Sequence, residues 1–346
     1  MPPAVFYPLT VSAVDRLTAD AAALTFAVPP DLRETFAFRP GQSLTVRRGD
    51  ERRSYSICVP PGRAPRIGVR EVPDGRVSGW LVRGTRPGDT IEVQPPSGAF
   101  TPDLAVRGRH VLIAAGSGIT PVLSIAAALL AARSEVVLLY GNRRADTVMF
   151  ADEVADLKDA YPTRMRLVHV LSREAQEVDL FTGRLDAAKL RTLLPLLVDV
   201  SAVDGWWLCG PFGMVTGAME VLGGFGVPRQ RMHRELFYVE EEPPPVATHT
   251  ETPGPGAEVT VILDGRATTV TIPPGTPVLD GAQRARADLP FACKGGVCGT
   301  CRAVLREGKV TMRRNFALEE SELAAGYVLT CQSLADTPAV TVDYDS

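Results

Sequence analysis

A multi-domain fold is what this sequence predicts: an antiparallel β-barrel, then an α/β unit built on a parallel sheet, then a small α+β module. Three patterns predict it. Short β-runs punctuated by proline and glycine fill residues 1–104, and apolar strands alternate with helical stretches over 105–240. A proline-rich break at 241–257 then precedes alternating strands and a cysteine loop in 258–346. The chain's 346 residues suffice for two or three domains of ~100–150 residues each.

In the first segment, strand character is carried by Leu24 to Val28, Leu44 to Arg48, Arg66 to Val72 and Thr90 to Gln94. Turns containing Arg39-Pro40-Gly41, Pro60-Pro61-Gly62, Arg86-Pro87-Gly88 and Pro95-Pro96-Ser97-Gly98 separate them, which is the punctuation of an antiparallel barrel. In the second, strands at Val111–Ala115, Val136–Tyr140, Leu167–Leu171 and Trp206–Cys209 interleave with helical stretches at Pro121–Ala132, Phe150–Ala160, Ala187–Leu194 and Met214–Leu222. Such alternation implies a parallel sheet covered on both faces. Residues 241–257 hold five prolines, no periodicity and almost no large apolar side chain. They read as a linker that spans ~50 Å when extended. The last segment has strands at Val259–Leu263 and Thr268–Ile272 and a helix candidate at Val278–Arg286 before the cysteine loop.

Charge and composition narrow the function. The net charge of −3 comes from 37 basic and 40 acidic residues, so there is no basic footprint for nucleic acid or an anionic membrane. Val111 to Ala132 is 22 residues without a charge, long enough to suggest a span. Gly116-Ser117-Gly118-Ile119-Thr120-Pro121 interrupts it, and a strand, a glycine turn and a helix explain it better. Met1 to Phe6 lacks the basic start and long apolar run of a signal peptide. Cys58 and Cys209 lie in separate apolar segments, which argues against a disulfide framework. A cytoplasmic protein with no membrane partner is expected. The histidines His110, His169, His233 and His249 are scattered singly and form no metal pattern.

Four other cysteines carry chemistry. Cys293, Cys298 and Cys301 are spaced C-x4-C-x2-C, and 29 residues separate Cys301 from Cys331. That is the plant-type arrangement for a 2Fe–2S cluster, which carries one electron. The glycines in Lys294-Gly295-Gly296-Val297 and Gly299-Thr300 let the backbone wrap closely and aim N–H groups at sulfur. Tetrahedral zinc is the competing reading. Its ligands usually come as two short cysteine pairs, whereas three of these share one loop.

With that loop placed, other motifs fall into a known order. Arg53-Ser54-Tyr55-Ser56 is similar to the R-x-Y-S flavin signature of the ferredoxin–NADP reductase superfamily, and Gly75-Arg76-Val77-Ser78 to its G-x-x-S turn. Gly116-Ser117-Gly118-Ile119-Thr120-Pro121 resembles its G-x-G-x-x-P nicotinamide loop, Cys209-Gly210-Pro211 its C-G-P motif, and Glu235-Leu236-Phe237 its E-x-F. The resemblance covers essentially the whole chain. Tyr140-Gly141-Asn142-Arg143-Arg144, Val170 to Glu174 and Tyr327 to Ser333 further resemble reductase subunits of phenylacetyl-CoA epoxidase complexes.

The resemblance implies a flavin β-barrel, a nicotinamide α/β domain and a β-grasp ferredoxin domain. A flavin is needed because nicotinamide gives up two electrons as hydride while a 2Fe–2S cluster takes one. FAD is expected, with FMN the alternative. Arg53 would meet the flavin diphosphate, Tyr55 would stack on the ring and Ser56 would sit near its N5. Gly75, Val77 and Ser78 would supply donors at a helix N-terminus. Gly116, Gly118 and Thr120 would admit the dinucleotide, with Cys209 and Gly210 at the nicotinamide, Glu235 at the flavin–nicotinamide contact and Phe237 shielding the ring. Ser172-Arg173 offers a hydroxyl and a cation where a 2′-phosphate would sit, favouring NADPH over NADH, with Glu174 next in line. The implied acceptor is a separate oxygenase, a di-iron phenylacetyl-CoA epoxidase; a Rieske oxygenase, a steroid hydroxylase and a fatty-acyl desaturase are alternatives. A non-catalytic iron–sulfur sensor is the reading from another class. Residues 258–346 hold nine basic and eleven acidic residues, so long-range steering to a partner is modest.

Overall fold

The computed structural model describes residues 5–49, 51–237, 256–291, 293–318 and 320–346. The linker reading at 241–257 lies outside them, apart from its last two residues. Tyr7 to Phe237 form one compact unit, and the C-terminal segment belongs to another.

Six antiparallel strands open the chain: β1 (Tyr7–Thr18), β2 (Ala21–Ala27), β3 (Ser43–Arg48), β4 (Glu51–Ser56), β5 (Arg66–Arg70) and, after the short helix α1 (Arg76–Gly79), β6 (Thr90–Val93). Their order in the sheet is β4-β3-β6-β1-β2-β5. The two edges meet where Ile57 bridges Ile67 and the Cys58 N–H donates to Arg66 O at 2.9 Å, so the sheet curls into the expected barrel. Alternate residues point inward, and Leu9, Leu24, Leu44, Val46, Ile67 and Val93 are fully buried. The long β1 was not legible as a strand. Its Ala13-Val14-Asp15-Arg16 stretch breaks the polar–apolar alternation, and register shifts at Val11/Ala13 and Arg16/Thr18 show that it is bulged.

The next five strands are parallel. They are β7 (Arg109–Ala115), β8 (Glu135–Asn142), β9 (Met165–Leu171), β10 (Gly205–Cys209) and β11 (Met232–Glu235), ordered β11-β10-β7-β8-β9. Helices α2 (Ile119–Ala131), α3 (Ala151–Ala160), α4 (Ala187–Leu197) and α5 (Phe212–Gly224) connect them. The uncharged run at 111–132 resolves into β7, a single 3-10 turn and α2, as the glycines required. Among the described residues no helix is long and apolar enough to cross a membrane. Helix α4 runs three residues past Leu194 because Pro195 lies in its last turn. There the missing N–H costs at most one hydrogen bond.

The C-terminal segment pairs β12 (Ala257–Leu263) with β13 (Arg266–Ile272) through an Asp264-Gly265 turn, both residues at positive φ. Helix α6 (Val278–Ala282) follows, then β14 (Arg302–Glu307), β15 (Val310–Met312), α7 (Glu320–Ala324), β16 (Tyr327–Leu329), β17 (Ser333–Ala335) and β18 (Ala339–Asp343). The main sheet is mixed, ordered β13-β12-β18-β14-β16, with β12 and β18 parallel. Helix α6 is shorter than the Val278–Arg286 stretch expected. Arg286 instead donates to the Leu263 and Arg266 carbonyls at 2.7 and 2.8 Å.

Within the first unit the barrel and the parallel sheet are bolted together. Ser124 Oγ on α2 donates to Val59 O at 2.6 Å, and Arg66 on β5 pairs with both Asp15 and Glu153. Gly68 on β5 faces Thr120 and Phe150 so closely that a Cβ there would sit 2.5 Å from Thr120 Cγ2. Gly68→Val is therefore expected to destabilise this unit by about 1–3 kcal/mol through overpacking. The thermal unfolding midpoint should fall below that of wild type, and an unchanged midpoint would show that the sheets have slack.

Candidate functional site

The C-terminal ends of β7, β10 and β11 form the site floor, where ligands sit on open parallel sheets. The turn after β7 begins with Gly116 at φ +54°, a region that favours glycine. Gly118 lies against the end of β10: a Cβ there would be 2.1 Å from Cys209 O and 2.8 Å from Gly210 N. The G-x-G-x-x-P and C-G-P motifs are thus in direct backbone contact. Thr120 is buried, its Oγ1 donating to Ser117 O at 3.0 Å to close the turn. Gly210 packs against Ala115 and Met214.

Parallel register places Cys209 beside Glu235. From the barrel, at the end of β4, Ser56 Oγ donates to Glu235 Oε2 at 3.0 Å. Burial pushes the Glu235 carboxyl up to about 7, with the Ser56 hydrogen bond pulling the other way. Burial and the neighbouring Glu235 push the Cys209 thiol well above its ordinary range, so it stays protonated and neutral. Tyr55 packs on the barrel core, and burial holds its phenol protonated. Phe237 packs against the core that contains Cys209.

Guanidinium groups gather at the other end of β4. Glu51 pairs with Arg53 and with Arg76, each at 3.3 Å. Arg48 donates to Arg76 O at 2.7 Å and lies over the Trp80 ring at 5.0 Å. Two guanidinium groups share one carboxylate and Arg48 stands beside them, so positive charge is left over and the group fits a phosphate. The Ser78 hydroxyl is used within its own turn. Its Oγ accepts from Val72 N at 3.1 Å and donates to Gly75 O at 3.3 Å, so the hydroxyl pins the turn that presents Gly75 and the buried Val77.

Arg70 has no local sequence signal and was missed. It reaches from β5 to Asp20 and to Thr147 O, and its Nη1 would lie 3.2 Å from a Cβ on Gly116. A cation therefore flanks the glycine turn. Farther along the edge, Ser172 N and Arg173 N donate to Asn142 O and Arg143 O at 2.9 and 2.8 Å. Glu174 Oε2 accepts from Ala145 N at 2.9 Å. Arg173 and Arg143 stay exposed, while Arg144 pairs with Asp146.

The four C-terminal cysteines form two thiol pairs, Cys293 with Cys298 and Cys301 with Cys331. The Cys298 thiol and the N–H groups of Gly295, Val297 and Cys298 pull Cys293 down to about 6. Gly295 N lies 3.3 Å from its sulfur. Gln332 Nε2 donates to Cys331 Sγ at 3.5 Å. Among the described residues no three His, Cys, Asp or Glu side chains converge on one metal ion. Two cysteines for each of two irons is the ligand set a 2Fe–2S cluster takes. Lys294, Gly296 and Gly299 all take positive φ in the loop. Cys58 is a core residue, its thiol donating to Arg66 O at 3.2 Å. His110 and His233 pack around Trp207, and His249 lies outside the described residues.

Comparison with known proteins agrees with this geometry. Residues 8–101 match the oxidoreductase FAD-binding domain family, 112–220 the oxidoreductase NAD-binding domain family and 261–336 the 2Fe-2S iron-sulfur cluster binding domain family. The chain is 42% identical to the E subunit of 1,2-phenylacetyl-CoA epoxidase of Escherichia coli (strain K12), over 99% of this chain and 98% of that protein. It is 36% identical to the ferredoxin reductase component of 3-ketosteroid-9-alpha-monooxygenase of Rhodococcus rhodochrous, covering 97% and 96%. Phthalate dioxygenase reductase shares the fold, with a TM-score of 0.61 at 22% identity and 98% of each chain covered. The chain is an oxidoreductase that belongs to the ferredoxin–NADP reductase superfamily, among the oxygenase reductases that carry a C-terminal 2Fe–2S ferredoxin domain.

Proposed function

We propose that this chain is an NADPH-dependent reductase component that passes electrons from NADPH through FAD and a 2Fe–2S cluster to a separate oxygenase, the di-iron phenylacetyl-CoA 1,2-epoxidase of aerobic phenylacetate degradation. The observation that carries the electron-transfer reading is the meeting of Ser56, Cys209 and Glu235 at one sheet edge. The likeness to the epoxidase's E subunit supports the choice of acceptor. The ketosteroid monooxygenase relative makes a steroid hydroxylase the second candidate. We assign residues 1–104 to flavin, 105–240 to the nicotinamide nucleotide and 258–346 to the cluster, in a cytoplasmic protein.

Bound flavin supplies the exchange between a hydride pair and single electrons. The protein's part is to hold and to exclude. Arg53 and Arg76, sharing Glu51, supply charge for the phosphate end, with Val77 and Ser78 N–H groups at the start of α1. Tyr55 and Phe237 cover the ring, and the protonated Cys209 packs at the nicotinamide without adding charge. Glu235 holds a proton below about pH 7, while its Oε2 accepts from Ser56 Oγ. Gly116 and Gly118 admit the dinucleotide, Thr120 closes their turn and Gly210 clears the opposite wall. Ser172 and Arg173 are available to a 2′-phosphate because Glu174 is engaged with Ala145 N.

Anaerobic stopped-flow mixing with NADPH or NADH tests this reading. Flavin bleaching followed by loss of the cluster band, faster with NADPH, is expected, and no response to either nucleotide would remove it. Cys298→Ser should reduce cytochrome c transfer to background while ferricyanide reduction by NADPH persists. Loss of both, with flavin and fold intact, would refute the electron order. Arg173→Ala should weaken NADPH roughly tenfold or more and leave NADH almost unchanged, since hydrogen bonds to a charged group are the strong ones.

Glu235 sets a pH signature. Its native pKa of about 7 exceeds an ordinary carboxyl value of about 4.3, so the native state binds the extra proton between those values. Stability therefore falls as pH rises across that window and levels off above it. The kcat/KM profile should inflect near the same upper value, move higher in Ser56→Ala and lose the inflection in Glu235→Gln. An inflection unmoved by either substitution would assign it to another group.

A further inference from the structure

The cysteine loop and the remote fourth cysteine are joined by a buried side chain that is not itself a ligand. Gln332 follows Cys331 and is 2% exposed. Its Nε2 donates to Lys294 O, 38 positions away in the loop, at 2.8 Å. The same nitrogen lies 3.0 Å from Cys331 O and 3.5 Å from Cys331 Sγ. A carboxamide nitrogen carries two protons. One goes to the loop carbonyl, and the other is shared between the carbonyl and the sulfur of Cys331.

Both ends of this clamp are fixed. The Gln332 main chain is held by Leu329 O at 2.8 Å and Arg313 N at 2.9 Å. On the loop side, Lys294 Nζ donates to Asp280 Oδ1 on α6 at 2.8 Å and to Gln283 Oε1 at 2.7 Å. A Cβ on Gly296 would come 3.1 Å from Gln332 Cγ, so the loop backbone rests on the stem of the glutamine. Cys331 is itself 2% exposed, and water is therefore a poor substitute for the amide at its sulfur.

A 2Fe–2S cluster gains one negative charge when it is reduced, and donors aimed at its sulfurs favour that charge, most of all where the surroundings are dry. We propose that Gln332 is a positioning residue that raises the reduction potential of the cluster, by clamping the cysteine loop to Cys331 and directing an N–H at the Cys331 sulfur. The inference rests on the cluster reading above. It makes the ease of electron transfer from flavin to cluster depend on a side chain outside the four ligands.

An anaerobic dithionite titration of the full-length protein, followed by the electron paramagnetic resonance signal of the reduced cluster, tests it in wild type and Gln332→Met. Methionine keeps the length of the side chain and removes the donor. Iron content, the flavin midpoint and thermal unfolding are measured on the same samples. The cluster midpoint is expected to fall by about three- to tenfold in the equilibrium for its reduction, tenfold being ~59 mV for a one-electron couple, while the flavin midpoint stays in place. An unmoved cluster midpoint with iron retained would overturn the inference. A lowered melting temperature with that midpoint unmoved would also overturn it, since the clamp would then serve the fold alone. If the methionine variant loses its iron, Gln332→Asn, which withdraws the carboxamide by one methylene, is titrated in the same way, and a fall in the midpoint or its absence decides the question as before. Wild-type protein with no reducible 2Fe–2S signal would remove the cluster reading as well, which distinguishes the two failures.

Discussion

The hydrogen bond from Ser56 to Glu235 joins residues 179 positions apart, one at the end of a barrel strand and one at the end of a parallel strand. A contact of 3.0 Å between two sheets exists only if the sheets are held in one orientation. The close approach at Gly68, the Ser124 hydrogen bond and the two ion pairs of Arg66 supply that constraint. Two-domain sites are commonly places of relative motion. Here the packing of side chains directly onto the backbone of β5 makes the pair one unit. Hydride transfer needs reacting atoms at near-contact distance, and a rigid floor built from both sheets provides for that.

Environment, not residue type, sorts the cysteines. Cys209 is walled by apolar side chains and an acid, so its thiol keeps its proton. Cys293 lies in a loop whose N–H groups point at sulfur, and its thiolate is favoured. One residue thus adds a neutral, polarisable surface and the other is prepared as an iron ligand. The glycines make both outcomes possible. At Gly118 a side chain would collide with the Cys209 carbonyl, and at Gly296 and Gly299 positive φ turns the chain around the sulfurs.

The nucleotide edge is graded in the same physical terms. Arg70 and the glycine turn lie at one end and the exposed Arg173 at the other. The acid that would oppose a 2′-phosphate is withdrawn into a hydrogen bond with Ala145 N.

The cysteine spacing, the glycine turns and the strand–helix alternation were legible in the sequence because each answers a local backbone demand. A cluster loop needs wrapping, a close dinucleotide approach forbids a side chain, and a half-covered sheet needs its own period. These sufficed for the three main sheets and the superfamily. Long-range placement decided the rest. The pairing of the thiols two and two, the structural use of the Ser78 hydroxyl, the reach of Arg70 and the hydrogen bond of Glu174 to Ala145 N all depend on partners distant or differently oriented in the chain. The bulged β1 escaped detection because its broken alternation is satisfied only by neighbours on both sides. No local pattern marks Gly68, since what distinguishes it is a neighbour too close for a side chain. Residue type and spacing therefore determined which chemistry this chain carries, and the packing of the barrel against the parallel sheet decided where its atoms meet.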